Sequence, residues 1–151
     1  MCIRDSVGFG WLHKLATDEK LRLPIIHHPA YSGGFVSPGV SGVADYLQLG
    51  LLPRIFGADM PIFVSYGGRF TFTEEQCKRI SSYIKRPMGL MKAACPAPGG
   101  GVTDTRLNEL VELYGNDTMF LVGGDMFRRG PDIEANMSYF VERLTKLSER
   151  T

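Results

Sequence analysis

Two glycine runs stand where a phosphate could be held. Gly99-Gly100-Gly101 follows an apolar stretch over 88–95, and Gly123-Gly124 follows a second over 118–122. Glycine has no Cβ, so an anion can come close to the backbone N–H groups of such a run. Tight strand-to-helix turns take glycine for their own reasons. The repetition of the pattern in two consecutive units is what favours a ligand, held by Gly100, Gly101, Gly123 and Gly124 together with a helix terminus. His27 and His28 end another apolar stretch, and strand alternation sends them to opposite faces. His28 is the candidate for proton transfer or hydroxyl binding, and His27 is read as structural. Arg69, after Gly67-Gly68, offers a cation to a carboxylate or a second phosphate. Lys92 and Asp125 are charges close to apolar stretches, where a charge needs a partner or an exit to water. Lys92 is kept as a site candidate, either pointing into the barrel or reaching past the helices to water. Arg128 and Arg129 are read as solvated.

These residues need elements to position them. Apolar spacing predicts a helix over 11–20, a strand over 21–28 and a loop over 29–40. Ser41 caps a helix running to about 56, kinked by Pro53 and ended by Gly57. A strand follows at 61–64, then a loop over 65–72. The run TEEQ at 73–76 is a capping box that opens a helix to about 85. A strand over 89–95 comes next, then a helix capped by Thr103 or Asp104 and ended by Gly115. The last unit is a strand over 118–122 and a helix over 131–148 with Pro131 in its first turn. A helix followed by four strand–helix units implies a parallel sheet with helices outside it. Four units make half of a (β/α)₈ barrel, whose phosphate sites lie at the C-terminal ends of its strands.

Composition sets the frame. The chain has 151 residues, 44% of them hydrophobic and 22% charged, with net charge +1. There is no basic excess of the kind that binds nucleic acid. There is no run of about 18 apolar residues to span a membrane. Cys2, Cys77 and Cys95 have neither metal spacing nor an even framework, which points to a reducing, cytoplasmic setting. The glycosylation patterns at Asn116 and Asn136 are read as chance. Residues 1–6 lack periodicity and are expected to be an artefactual leader, with the barrel segment over 7–151.

Five segments in order carry a family resemblance: LPIIHHPA at 23–30, GADMPIF at 57–63, SYGGRF at 65–70, PAPGGG at 96–101 and FLVGG at 120–124. Together they resemble the C-terminal barrel half of the RuBisCO (ribulose-bisphosphate carboxylase) large-subunit superfamily, and most closely its RuBisCO-like proteins. The resemblance implies strands five to eight of the barrel, with Val7-Gly8-Phe9-Gly10 as the end of strand four. It implies a phosphorylated sugar or sugar acid as substrate and enediolate chemistry assisted by Mg²⁺. The metal ligands of the family lie on the second strand, outside this chain. It also implies a homodimer or larger assembly, because a partner subunit completes the site.

Four departures argue against carboxylation. Pro29 follows His28 where carboxylases place an Arg. Val64-Ser65 stands where they end strand six with a His. Residues 65–73 contain no Lys where theirs carries one, and Gly99 replaces a Ser. The resemblance therefore implies a methionine-salvage enolase or isomerase activity, or decarboxylation of a branched oxo-acid phosphate in apionate breakdown, with the segment alone inactive. Two other readings stand beside it: a non-catalytic binding or structural remnant, and an unrelated phosphate-binding barrel enzyme.

Overall fold

The computed structural model describes residues 2–4, 8–36 and 42–149. Four parallel strands form one sheet in chain order: β1 (Cys2–Arg4), β2 (Ile26–His28), β3 (Met60–Val64) and β4 (Ala97–Gly99). The register runs Ile3↔His27, His27↔Pro61 and Phe63↔Pro98. Beyond β4 a single parallel bridge, Gly99↔Leu121, marks where the next strand lies. This is part of a (β/α)₈ barrel, as the order of the elements requires.

Several boundaries differ from the sequence expectation. The first strand is Cys2–Arg4, inside the expected leader, whereas Gly8–Gly10 belongs to helix α1 (Gly8–Ala16). Val7, the rest of the leader and Ser41 lie outside the described residues. The loop over 29–40 contains a short helix, α2 (Gly33–Val36). The expected strand at 89–95 is instead a turn closed by Met88 and Met91, followed by extended chain. The strand forms later, at Ala97–Gly99, because there the backbone lies between β3 and residues 118–122. Pro98 tolerates this place. Its carbonyl accepts from Leu121 N–H at 3.1 Å, so its missing N–H falls on the sparsely paired side.

The helix before β3 begins as a π-helix over Tyr46–Leu51, whose first N–H is capped by the Asp45 carboxylate. It passes straight into α3 (Leu52–Ile55) at Pro53, the wide ladder ending with Leu52 N–H donating to Leu47 O. Gly57 ends it at φ +99°. Helix α4 (Glu74–Lys85) opens on the expected capping box: Gln76 N–H donates to Thr73 Oγ1 and Thr73 N–H to Gln76 Oε1. Thr73→Ala is expected to cost about 1 kcal/mol, read as a thermal midpoint lower by about 2–4 °C.

A 3₁₀ turn (Asp104–Arg106) leads into α5 (Leu107–Tyr114), then come α6 (Gly124–Arg128) and α7 (Ile133–Ser148). The Asp132 side chain caps α7, one position after Pro131. The main core joins β3 to α4, α5 and α7 through Phe63, Cys77, Ile80, Leu107, Leu110 and Phe140. A smaller one, Leu12, Ile25 and Ala58, lies under α1. Arg54 is buried between them. Its guanidinium donates to the carbonyls of Tyr83, Arg86 and Lys92, fastening α3 to the end of α4 and to the chain leading into β4.

Candidate phosphate-binding rim

All four parallel strands end on the same side, and the described residues that follow β2, β3 and β4 build one rim. His28 is the last residue of β2 and is exposed. His27, one position earlier, is 1% exposed and stacks on Phe9 of α1 at 5.8 Å, so it belongs to the packing between sheet and helix. Alternation along three residues thus separates a structural histidine from an available one.

Arg69 lies in the loop after β3, exposed, with its guanidinium 4.9 Å from the Phe70 ring. Ser65, directly after β3, is fully buried and shares a hydrogen bond with the Tyr114 hydroxyl at 3.1 Å. That strand end is turned toward the core beneath α5 and offers no group to the rim.

Gly100 and Gly101 follow β4 directly, at φ +75° and +73°. They meet the loop after β3 backbone to backbone. A Cβ on Gly101 would lie 2.8 Å from Gly68 N, and one on Gly68 would lie 3.0 Å from Gly101 N. Packing demands glycine at both. Gly100 faces open space, its Cβ position no closer than 3.9 Å to the Val64 side chain. Gly123 and Gly124 are different again. Gly123 has φ −98°, neither is in the left-handed region, and a Cβ on either meets nothing within 4 Å. No turn geometry and no neighbour among the described residues requires glycine there.

One cation ties the rim together, and it is not among the residues that type and spacing single out. Arg106 Nη1 donates to Tyr66 O at 2.7 Å and to Gly101 O at 3.1 Å, one carbonyl from each of the two loops. Its other face pairs with Glu109 at 2.9 Å, and the guanidinium lies over the Tyr66 ring at 4.5 Å. The Tyr66 hydroxyl donates to the same carboxylate. Burial, then the Glu109 carboxylate, pushes the Tyr66 pKa up to about 12, so the phenol stays a donor at neutral pH. The Arg106 hydrogen bonds hold Glu109 below the usual carboxylate range.

The loop around 123–125 joins the others through Asp125, whose carboxylate accepts from Asp104 N–H at 2.8 Å. Arg129 is engaged rather than free in water. It stacks on Tyr139 at 3.4 Å and pairs with Asp104 at 3.8 Å. Arg128 is exposed, as expected. Lys92 is a correction. It sits outside any strand, exposed in the chain leading into β4, because the strand begins eight residues later than the expected 89–95. Its carbonyl, not its ammonium, is in use, as an acceptor from Arg54.

Among the described residues no three of His, Cys, Asp and Glu gather into a group able to hold a metal ion. The described residues of this segment do not fit a Mg²⁺ site. Among the same residues no helix is long and apolar enough to cross a membrane.

The rim can therefore offer backbone N–H groups to an anion, a guanidinium beside it, and an imidazole two strands away. No protein-family model matches the chain. It is 34% identical over 134 residues to ribulose bisphosphate carboxylase-like protein 1 of Rhodopseudomonas palustris, covering 89% of this chain and 34% of that protein. It is 32% identical over 119 residues to a 2,3-diketo-5-methylthiopentyl-1-phosphate enolase of Exiguobacterium sibiricum, covering 79% of this chain and 30% of that enzyme. Among solved structures, a RuBisCO-like protein from Alicyclobacillus acidocaldarius superposes with a TM-score of 0.89 at 26% identity, over 99% of this chain and 38% of that one. The chain spans about a third of the length of the relatives it matches.

Proposed function

From a chain that belongs to the RuBisCO large-subunit superfamily, on its RuBisCO-like side, we propose the following function: it is the C-terminal, phosphate-binding half of a (β/α)₈ enzyme that acts on a phosphorylated sugar or sugar acid. The complete enzyme removes a proton next to a carbonyl, forms an enediolate, and carries it on to enolisation, isomerisation or decarboxylation. Mg²⁺ would supply charge stabilisation for the enediolate, held by residues outside this segment.

Within the segment the roles divide by chemistry. Backbone N–H groups of Gly100, Gly101, Gly123 and Gly124 hold a phosphate. Arg69 holds a second anionic group of the substrate, and His28 transfers a proton or binds a hydroxyl. The segment alone is inactive in this reading, and the whole protein works in the cytoplasm as a homodimer or larger assembly.

One observation carries the proposal. Gly123 and Gly124 occupy open space in conformations any residue adopts, so their glycine identity is unexplained by the fold and is explained by an anion lying against the backbone. The 1-phosphate in the name of the enolase relative supports the same reading. Calorimetric titration of a full-length protein carrying this segment, with a phosphorylated ketose and its dephosphorylated form, tests it. Only the phosphorylated ligand is expected to bind. Arg69→Ala is expected to weaken that binding about ten- to hundredfold without abolishing it, as loss of one charge-assisted hydrogen bond should. Equal affinity for both ligands would remove the proposal.

A further inference from the structure

We propose that Arg106 is a positioning residue for the phosphate cradle: it fastens the loop after β3 to the loop after β4, so that Arg69 and Gly100-Gly101 hold a fixed relation. This rests on the reading of the rim as a phosphate site. The charge of Arg106 is already met by Glu109 at 2.9 Å. What it contributes is geometry. One nitrogen, Nη1, reaches Tyr66 O in one loop and Gly101 O in the other, while Nε and Nη2 engage Glu109 and hold the guanidinium plane in place.

The surrounding residues are shaped to admit it. Gly67, at φ +75°, is where a Cβ would come within 2.5 Å of Arg106 Nη1. Gly68 and Gly101 abut with no side chain between them. Tyr66 closes the assembly from above, its ring against the guanidinium and its hydroxyl on the same carboxylate. Tyr66, Gly101, Arg106 and Glu109, the outermost 43 residues apart in sequence, thus form a single fastening, and removing the guanidinium leaves the two glycine loops without their shared Nη1 donor. A preorganised backbone cradle binds more tightly than one that must first be ordered.

The test compares Arg106→Met, Arg106→Lys and Glu109→Gln with the parent, in a full-length protein carrying the segment. Calorimetry uses inorganic phosphate as the probe, and amide hydrogen exchange follows residues 66–69, 99–101 and 107–114. Arg106→Met is expected to raise exchange in both loops, leave 107–114 protected, and weaken phosphate binding about tenfold or more. Arg106→Lys is expected to restore the tie only in part, and to weaken phosphate binding less than Arg106→Met, because one ammonium can reach both carbonyls but cannot also hold Glu109 and cover the Tyr66 ring. Glu109→Gln keeps the guanidinium in place and loosens only its far side, so a smaller loss of about two- to fivefold is expected. It also decides the matter if Arg106→Met does not fold. Faster loop exchange with unchanged phosphate affinity in Arg106→Met, or in Glu109→Gln should that variant stand in for it, overturns the positioning role alone. A parent that binds no phosphate overturns the phosphate reading and this role with it.

Discussion

Gly124→Val, made in a full-length protein carrying this segment, is expected to abolish binding of phosphorylated ligands while the fold survives. The two halves of that result have separate causes. The fold survives because a Cβ at 124 meets no atom within 4 Å and the backbone there is outside the left-handed region. Valine in the first turn of the short helix α6 changes stability by less than about 1 kcal/mol. Binding fails because two γ-methyl groups would occupy the space in which a phosphate oxygen approaches the N–H groups of 123–125. The same substitution at Gly101 would damage the fold itself, since its Cβ would sit 2.8 Å from Gly68 N at a φ of +73°. Titration with phosphorylated and dephosphorylated ligand, beside a thermal melt, separates these effects. If Gly124→Val binds phosphate as the parent does, the second glycine run is a turn and nothing more.

A larger loss of stability is expected from Arg54→Met. The methionine fills much of the volume of the aliphatic stem but leaves the carbonyls of Tyr83, Arg86 and Lys92 without their donor in a nearly closed space. Each stranded acceptor carries a desolvation penalty, and hydrogen bonds from a charged donor are the stronger kind. A destabilisation of roughly 2–4 kcal/mol follows, read as a midpoint lower by about 5–15 °C for a chain of this size. Arg54→Lys should recover part of it, since one ammonium reaches some of the three acceptors. A melt of Arg54→Met within a degree of the parent would show that these carbonyls find water instead.

Helix ends were legible because their chemistry is local. The capping box at Thr73 and the terminal glycines Gly57 and Gly115 act within one turn, and each stands where the sequence put it. Parallel strand order was legible from alternation of elements, and the division of His27 from His28 from the twofold period. Strand positions were not. The run at 88–95 has the composition of a strand, yet Gly89 at φ +56° turns it and Leu90 is fully exposed. The strand at Ala97–Gly99 has a composition that argues against one, and it exists because neighbours on both sides claim its backbone. Lys92 was misplaced for the same reason. Arg106 was invisible because a charge near a helix start reads as a solvated one until the loop carbonyls 5 and 40 positions away are brought to it.

The sheet order β1-β2-β3-β4 has a consequence for how the molecule comes into being. Each strand pairs with the one made just before it, and the helix between them has already emerged. Among these four strands a growing chain on the ribosome can therefore add one unit at a time to a single advancing edge, none of the four waiting on a later one out of order. The advance slows at Leu121, where one bridge stands in for a ladder and Pro98 presents no N–H to receive the next strand. Assembly from that point depends less on backbone pairing than on α7 laying Phe140 and Leu147 onto the core already built.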